Sequence, residues 1–181
     1  GRARRGLGAA AGARRMGATG IIAVEGVPER QQVARSMGGD EVVDFSKEGP
    51  VDAVMRITDG RGVDVAIEAL GRQSTFEAAL RVLRPGGTLA SLGVYSEDLR
   101  IPLGPFVAGP GNHTIVTTPC PGGKARMRRL MSVVASGRLD ARAPVPHRFG
   151  LEAHGGAYDL FAPHRDTLPT LSNTPCPPFA A

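Results

Sequence analysis

The sequence predicts a doubly wound α/β domain, a parallel sheet covered by helices. Three observations carry this. From residue 20 onward short apolar runs alternate with segments of helical period, and Gly or Pro marks the junctions. No apolar run reaches the roughly 18 residues that a membrane span needs. The 181 residues suit one domain with a short appendage, and 41% hydrophobic residues suffice to bury a core. Repeated β-α units imply right-handed crossovers and hence parallel strands.

The elements follow in order. Residues 21–24 form an apolar run closed by Glu25, the pattern of a strand buried on both faces. Pro28 opens a helix, where its missing N–H costs nothing. Val33, Ala34 and Met37 give that helix an apolar stripe, and Gly38 and Gly39 end it. Val42, Val43 and Phe45 predict the next strand. Residues 51–57 carry a helical stripe (Val51, Val54, Met55) stopped at Asp59 and Gly60. The cycle repeats with a strand over 63–70, a helix over 74–83, a turn at Pro85-Gly86-Gly87 and a strand over 89–94. A Gly/Pro-rich loop over 95–112 leads to a strand over 113–118 and a basic amphipathic helix over 124–136. Residues 162–181 hold five prolines and no strand pattern.

Composition excludes several functions. The net charge is +5 and the pI about 10.0. The charge comes from 20 Arg against 2 Lys, scattered through every segment. The clusters Arg2/Arg4/Arg5 and Arg126/Arg128/Arg129 lack interleaved aromatics for base stacking, so solvated surface charge is the expectation and a nucleic-acid partner is not. Cys120 and Cys176 permit at most one disulfide and cannot build a four-ligand zinc site. His113, His147, His154 and His164 show no ligand spacing, so no metal site is expected. The basic start lacks an apolar stretch behind it, which argues against a secretory signal. A soluble, cytoplasmic protein without a membrane partner is expected.

The chemistry-bearing residues cluster at predicted strand ends. The opening run from Gly1 through Ala3 to Gly6 matches G-x-A-x-x-G, one substitution from the dinucleotide fingerprint. That motif supplies a tight turn and a helix N-terminus facing a pyrophosphate. Glu25 lies 19 residues after Gly6, where a carboxylate accepts hydrogen bonds from both ribose hydroxyls of NAD and repels the 2′-phosphate of NADP. An exposed strand-end Glu gives the same pattern. Arg30 suits either the adenosine or the open surface. Ala69-Leu70-Gly71 and Leu92-Gly93-Val94 end two further strands, the side on which parallel sheets bind ligands. Glycine there permits close approach of a flat ring, or is ordinary turn glycine.

Over residues 1–161 the sequence resembles the C-terminal half of the medium-chain, zinc-dependent alcohol dehydrogenases. It is similar in particular to their secondary-alcohol, threonine and sorbitol dehydrogenase-like branch. The features are the fingerprint with Leu7, GARRMGATGIIAVE, R-x-x-x-A-R-S-M-G-G-D, VMRITDGRGVDVAIEALG, LRPGGTLASLGV, CPGGKARMRRL and HRFGLEAHGGAYDLF, in order and at matching spacing. The resemblance implies a Rossmann dinucleotide-binding domain over 1–161 and a non-matching, disordered tail over 162–181. It implies that Gly1, Ala3, Gly6 and Leu7 hold the pyrophosphate, and Glu25 with Arg30 the adenosine ribose. Ala69 and Leu70 line the adenosine side, Leu92, Gly93 and Val94 flank the nicotinamide, and the backbone at Thr118 and Cys120 fixes its carboxamide. NAD is the implied cofactor. Zinc belongs to the intact family and not to this stretch, which is expected to hold neither metal ligands nor catalytic residues. The implied partners are an alcohol or ketone substrate and further copies in a homodimer or homotetramer.

The departures also make expectations. Arg2, Arg4 and Arg5 stand where the family has small or apolar residues. The family's strand before Gly1, which belongs beside the strand ending at Glu25, and its closing strand are not in this sequence. The chain is therefore expected to be truncated and to fold poorly alone. Two other functions share part of the pattern: an S-adenosylmethionine-dependent methyltransferase and a non-catalytic nucleotide-binding fragment.

Overall fold

In a computed structural model the described residues are 2–101, 104, 111–117, 122–142, 148–161 and 170–171. Helix α1 (Arg2–Arg15) is rich in alanine, the best helix former. Leu7 and Ala11 of its buried side pack against Ala34 and Met37. Strand β1 (Ile22–Val24) follows, then α2 (Pro28–Ser36), which starts with Pro in its first turn as the sequence predicts. Its last turn closes through the Met37 and Gly38 N–H groups onto Val33 and Arg35 carbonyls. The chain continues through β2 (Glu41–Val43), α3 (Pro50–Ile57), β3 (Val63–Glu68), α4 (Gln73–Arg81), β4 (Leu83–Ser91) and β5 (Thr114–Thr117). Helix α5 (Lys124–Ala135), β6 (Arg148–Phe149), a 3-10 turn (Leu151–Ala153), α6 (His154–Phe161) and β7 (Thr170–Leu171) complete it.

Every strand pair is parallel, as β-α repetition requires. The strands fall into three sheets among the described residues: β1-β2, β3-β4-β5 and β6-β7. Ala66 pairs with Leu89 and Glu68 with Ser91, and Leu89 pairs with Ile115. The main core joins α3, α4, β3 and β4 through Val54, Ala66, Phe76, Leu80, Val82, Leu83 and Leu89. Ile22 of β1 packs against that same core, so the two-stranded sheet leans on the three-stranded one without pairing to it. The fold is the doubly wound α/β class, and among the described residues β1 and β3 do not pair.

Four expectations are corrected. Pro85-Gly86-Gly87 is not a turn ahead of β4 but an irregularity inside it: pairing jumps from Val63–Leu83 to Val65–Thr88. Proline cannot donate to the ladder, and Gly86 takes the positive φ (73°) that such a bulge uses. β3 and β4 end at Glu68 and Ser91, before Leu70 and Val94. Past them, the Leu70 and Gly71 N–H groups turn to the Glu68 side chain, while Leu92 N–H still donates to the Glu68 carbonyl. Phe45 lies in the turn after β2, its ring lying so close to Gly26 that a Cβ there would sit 2.7 Å away. Within the segment expected to lack strands, Thr170–Leu171 pairs with Arg148–Phe149. Thr and Leu there form a two-residue run after Pro169, too short to show as a sequence pattern.

Candidate functional site

Parallel strands place their carboxyl ends on one side of each sheet, where doubly wound folds bind ligands. Glu25 follows β1. Its Oε1 accepts from the backbone N–H of Gly26 (3.0 Å) and Val27 (3.1 Å), and its carbonyl accepts from Gln31 Nε2 (2.9 Å). The carboxylate therefore stays fixed at the β1–α2 turn. Arg30 sits partly buried on the first turns of α2.

The fingerprint is helical from Arg2 onward, so Ala3 and Gly6 lie in the opening turns of α1 and not in an extended loop. Leu7 spends its side chain in the core, which leaves only backbone for ligand contact. Gly6 faces open space: a Cβ added there meets nothing within 4 Å. Arg5 reaches across instead, and its Nη1 donates to the Leu92 carbonyl (2.8 Å). One of the substituted arginines thus joins the start of α1 to the end of β4.

The turns after β3 and β4 meet closely. Gly71 (φ 87°) lies against the Val94 backbone, and a Cβ on Gly93 would stand 2.5 Å from the Gly71 nitrogen. Leu92 and Gly93 are half-buried, whereas Val94 is 74% exposed. Beneath the crossing lies Glu68, only 3% exposed. Its Oε1 accepts from Leu70 N (2.7 Å), Gly71 N (2.8 Å) and Thr75 Oγ1 (2.8 Å). Its Oε2 accepts from the Tyr95 hydroxyl (2.6 Å), which also bonds Ser91 Oγ (2.7 Å). Burial pushes the Glu68 carboxyl up, but the Tyr95, Gly71, Thr75 and Leu70 donors together outweigh it and hold the group below the ordinary glutamate range. Burial and the Glu68 carboxylate push Tyr95 up to about 12.

The structure thus joins Leu70 and Leu92–Val94 with Arg5 of α1, and Ala69 lies in the same turn. Glu25 and Arg30 stand on the neighbouring β1–α2 unit. Gly1, Thr118 and Cys120 lie outside the described residues. Sequence reasoning missed Glu68. Its signal was an acidic residue inside the apolar run VAIEAL, where a buried carboxylate needs several donors. Among the described residues no group of three or more His, Cys, Asp or Glu is placed to hold a metal ion. Also among them, no helix is long and apolar enough to cross a membrane.

Parallel β-α units with a helix N-terminus tied to converging strand-end turns define a Rossmann-type nucleotide-binding domain. Residues 6–136 match the zinc-binding dehydrogenase family, and the chain belongs to that family. An alcohol dehydrogenase of Cupriavidus necator is 56% identical over 170 residues, covering 94% of this chain and 46% of that protein. The NADP-dependent isopropanol dehydrogenase of Thermoanaerobacter brockii is 37% identical over 80% of this chain and 42% of its own length. A crystal structure of an alcohol dehydrogenase zinc-binding domain protein from Burkholderia ambifaria superposes with a TM-score of 0.82 at 26% identity. It matches 94% of this chain and 46% of that one. The chain spans about half the length of the relatives it matches.

Proposed function

We infer that this chain is the NAD-binding half of an oxidoreductase that moves hydride between an alcohol, secondary or polyol-like, and NAD. The observation that carries the reading is the junction of α1 with the turns after β3 and β4, made by Arg5 on the Leu92 carbonyl and by the Gly71–Gly93 crossing. The opening turn of α1 offers backbone N–H groups and positive charge to a pyrophosphate. Residues 1–161 form the dinucleotide-binding unit. Gly1, Ala3 and Gly6 with the Leu7 backbone take the pyrophosphate, Glu25 and Arg30 the adenosine ribose, and Ala69 and Leu70 the adenosine side. Leu92, Gly93 and Val94 flank the nicotinamide, with Thr118 and Cys120 backbone on its carboxamide. When bound, NAD supplies the hydride acceptor.

Four of the relatives carry NADP in their names. Glu25 supports the opposite preference here, because a carboxylate fixed at the β1 end repels a 2′-phosphate. Substrate chemistry, a cytoplasmic location and assembly into dimers or tetramers belong to the same reading of the whole protein. No metal-dependent step is assigned to this chain.

Calorimetric titration with NADH, NADPH and S-adenosylmethionine tests the reading. NADH should bind at least about tenfold more tightly than NADPH, and Glu25→Gly should narrow that gap. Equal affinity for both nicotinamide cofactors would remove the role of Glu25. Binding of S-adenosylmethionine without NADH would replace the dehydrogenase reading with a methyltransferase one.

A further inference from the structure

We propose that Glu68 is a positioning residue for the nicotinamide dinucleotide, one buried carboxylate that fixes the turn after β3 to the turn after β4, with Tyr95 as its second arm. The proposal rests on the cofactor reading above. Glu68 closes β3 on the same strand face as buried Ala66, where an apolar side chain would satisfy the core. The carboxylate instead meets four donors and, among the described residues, no cation. Two are the N–H groups of Leu70 and Gly71, in the turn entering α4. A third, Thr75 Oγ1, lies in the first turn of α4 itself. The fourth is Tyr95, directly after the Leu92-Gly93-Val94 segment.

The backbone repeats the connection, since Leu92 N–H donates to the Glu68 carbonyl (2.7 Å). Phe76 meets the Tyr95 ring edge-on, with centroids 6.1 Å apart, and fixes the tyrosine's direction from α4. With Gly71 and Gly93 in contact, neither turn can shift unless the other does. The result is an apolar Val94 side chain held outward on an immobile backbone, a surface suited to a flat ring. A carboxylate that only stabilised the fold would not need to address both ligand-facing turns.

The test uses the 181-residue chain, titrated with NADH and with AMP, and circular dichroism melts of each variant. Tyr95→Phe keeps the ring and its Phe76 contact but removes the arm to the β4 turn. It should weaken NADH about tenfold and AMP less than about twofold. Glu68→Gln should weaken NADH at least as much, and Glu77→Gln, whose carboxylate pairs with Arg81 away from both turns, should leave the NADH-to-AMP ratio unchanged. If Glu68→Gln does not fold, Tyr95→Phe alone decides. Parental NADH affinity in Tyr95→Phe, or equal losses for NADH and AMP, would overturn the positioning role. A parent chain that binds no NADH would instead overturn the cofactor reading, and the proposal with it.

Discussion

The glycines of α1 and those at the strand ends do opposite things. Gly6, Gly8 and Gly12 lie in a helix with nothing within 4 Å of where a Cβ would stand. They pack against nothing in the folded helix, and each costs about 1 kcal/mol of stability relative to alanine. Gly71 and Gly93 are enclosed by each other, by Val94 and by Glu68, and no side chain fits. The difference marks where the cleft is assembled and where it is open. One wall, the β3–β4 crossing, is complete within these residues. The other, the α1 side, carries glycines with open space where a Cβ would stand.

The largest expected effect follows from the closed wall. Gly71→Ala drives a Cβ to 2.7 Å from the Val94 carbonyl carbon at a φ of 87° that alanine resists. It should destabilise the fold by about 3–5 kcal/mol and abolish NADH binding. Urea denaturation followed by circular dichroism measures this. An alanine variant with parental stability would mean that the crossing is loose.

An intermediate effect comes from the Glu68–Tyr95 pair. The folded Glu68 carboxyl is depressed, so its stabilisation is present above the unfolded glutamate pKa of about 4.3 and disappears as pH falls through the folded value. The Tyr95 hydroxyl is raised, so its share is present below about 10 and disappears as pH rises through about 12. In a Tyr158→Phe background, the absorbance of the one remaining tyrosinate should titrate near 12. Adding Glu68→Gln should bring that midpoint down. A midpoint near 10 in the parent would show that the pair is not formed.

The smallest effect belongs to the open wall. Gly6→Ala should stabilise this chain by about 0.5–1 kcal/mol, seen as a slightly higher melting temperature. Destabilisation would reveal a neighbour packed on that helix face.

The two walls also differ in how much the sequence disclosed. The α/β alternation was legible because apolar runs and Gly/Pro breaks follow strand and helix lengths, and Pro28 placed α2. Glu25 at the end of β1 was legible because its distance from Gly6 is set by one helix and one strand. The closed wall was legible in its two glycine turns but not in what ties them together. A charged residue within VAIEAL signals a buried carboxylate in need of donors but not which residues supply them, since they come from residues 70, 71, 75 and 95. Nor does Pro85-Gly86-Gly87 announce itself as strand, because its pairing depends on a register jump against β3. Arg5 read as an intrusion into the fingerprint, and its contact with Leu92 arises only from the folded path of the chain.

The central claim is that the turns after β3 and β4 are fixed to each other and, through Arg5, to the start of α1, and that this junction holds a nicotinamide dinucleotide. The direct test titrates NADH into the chain and into its Arg5→Met variant and compares the thermal unfolding of both. The account predicts that the parent binds NADH and that Arg5→Met, which leaves the Leu92 carbonyl without its guanidinium donor, binds it about fivefold more weakly at a similar melting temperature. Parental NADH affinity in Arg5→Met would contradict it.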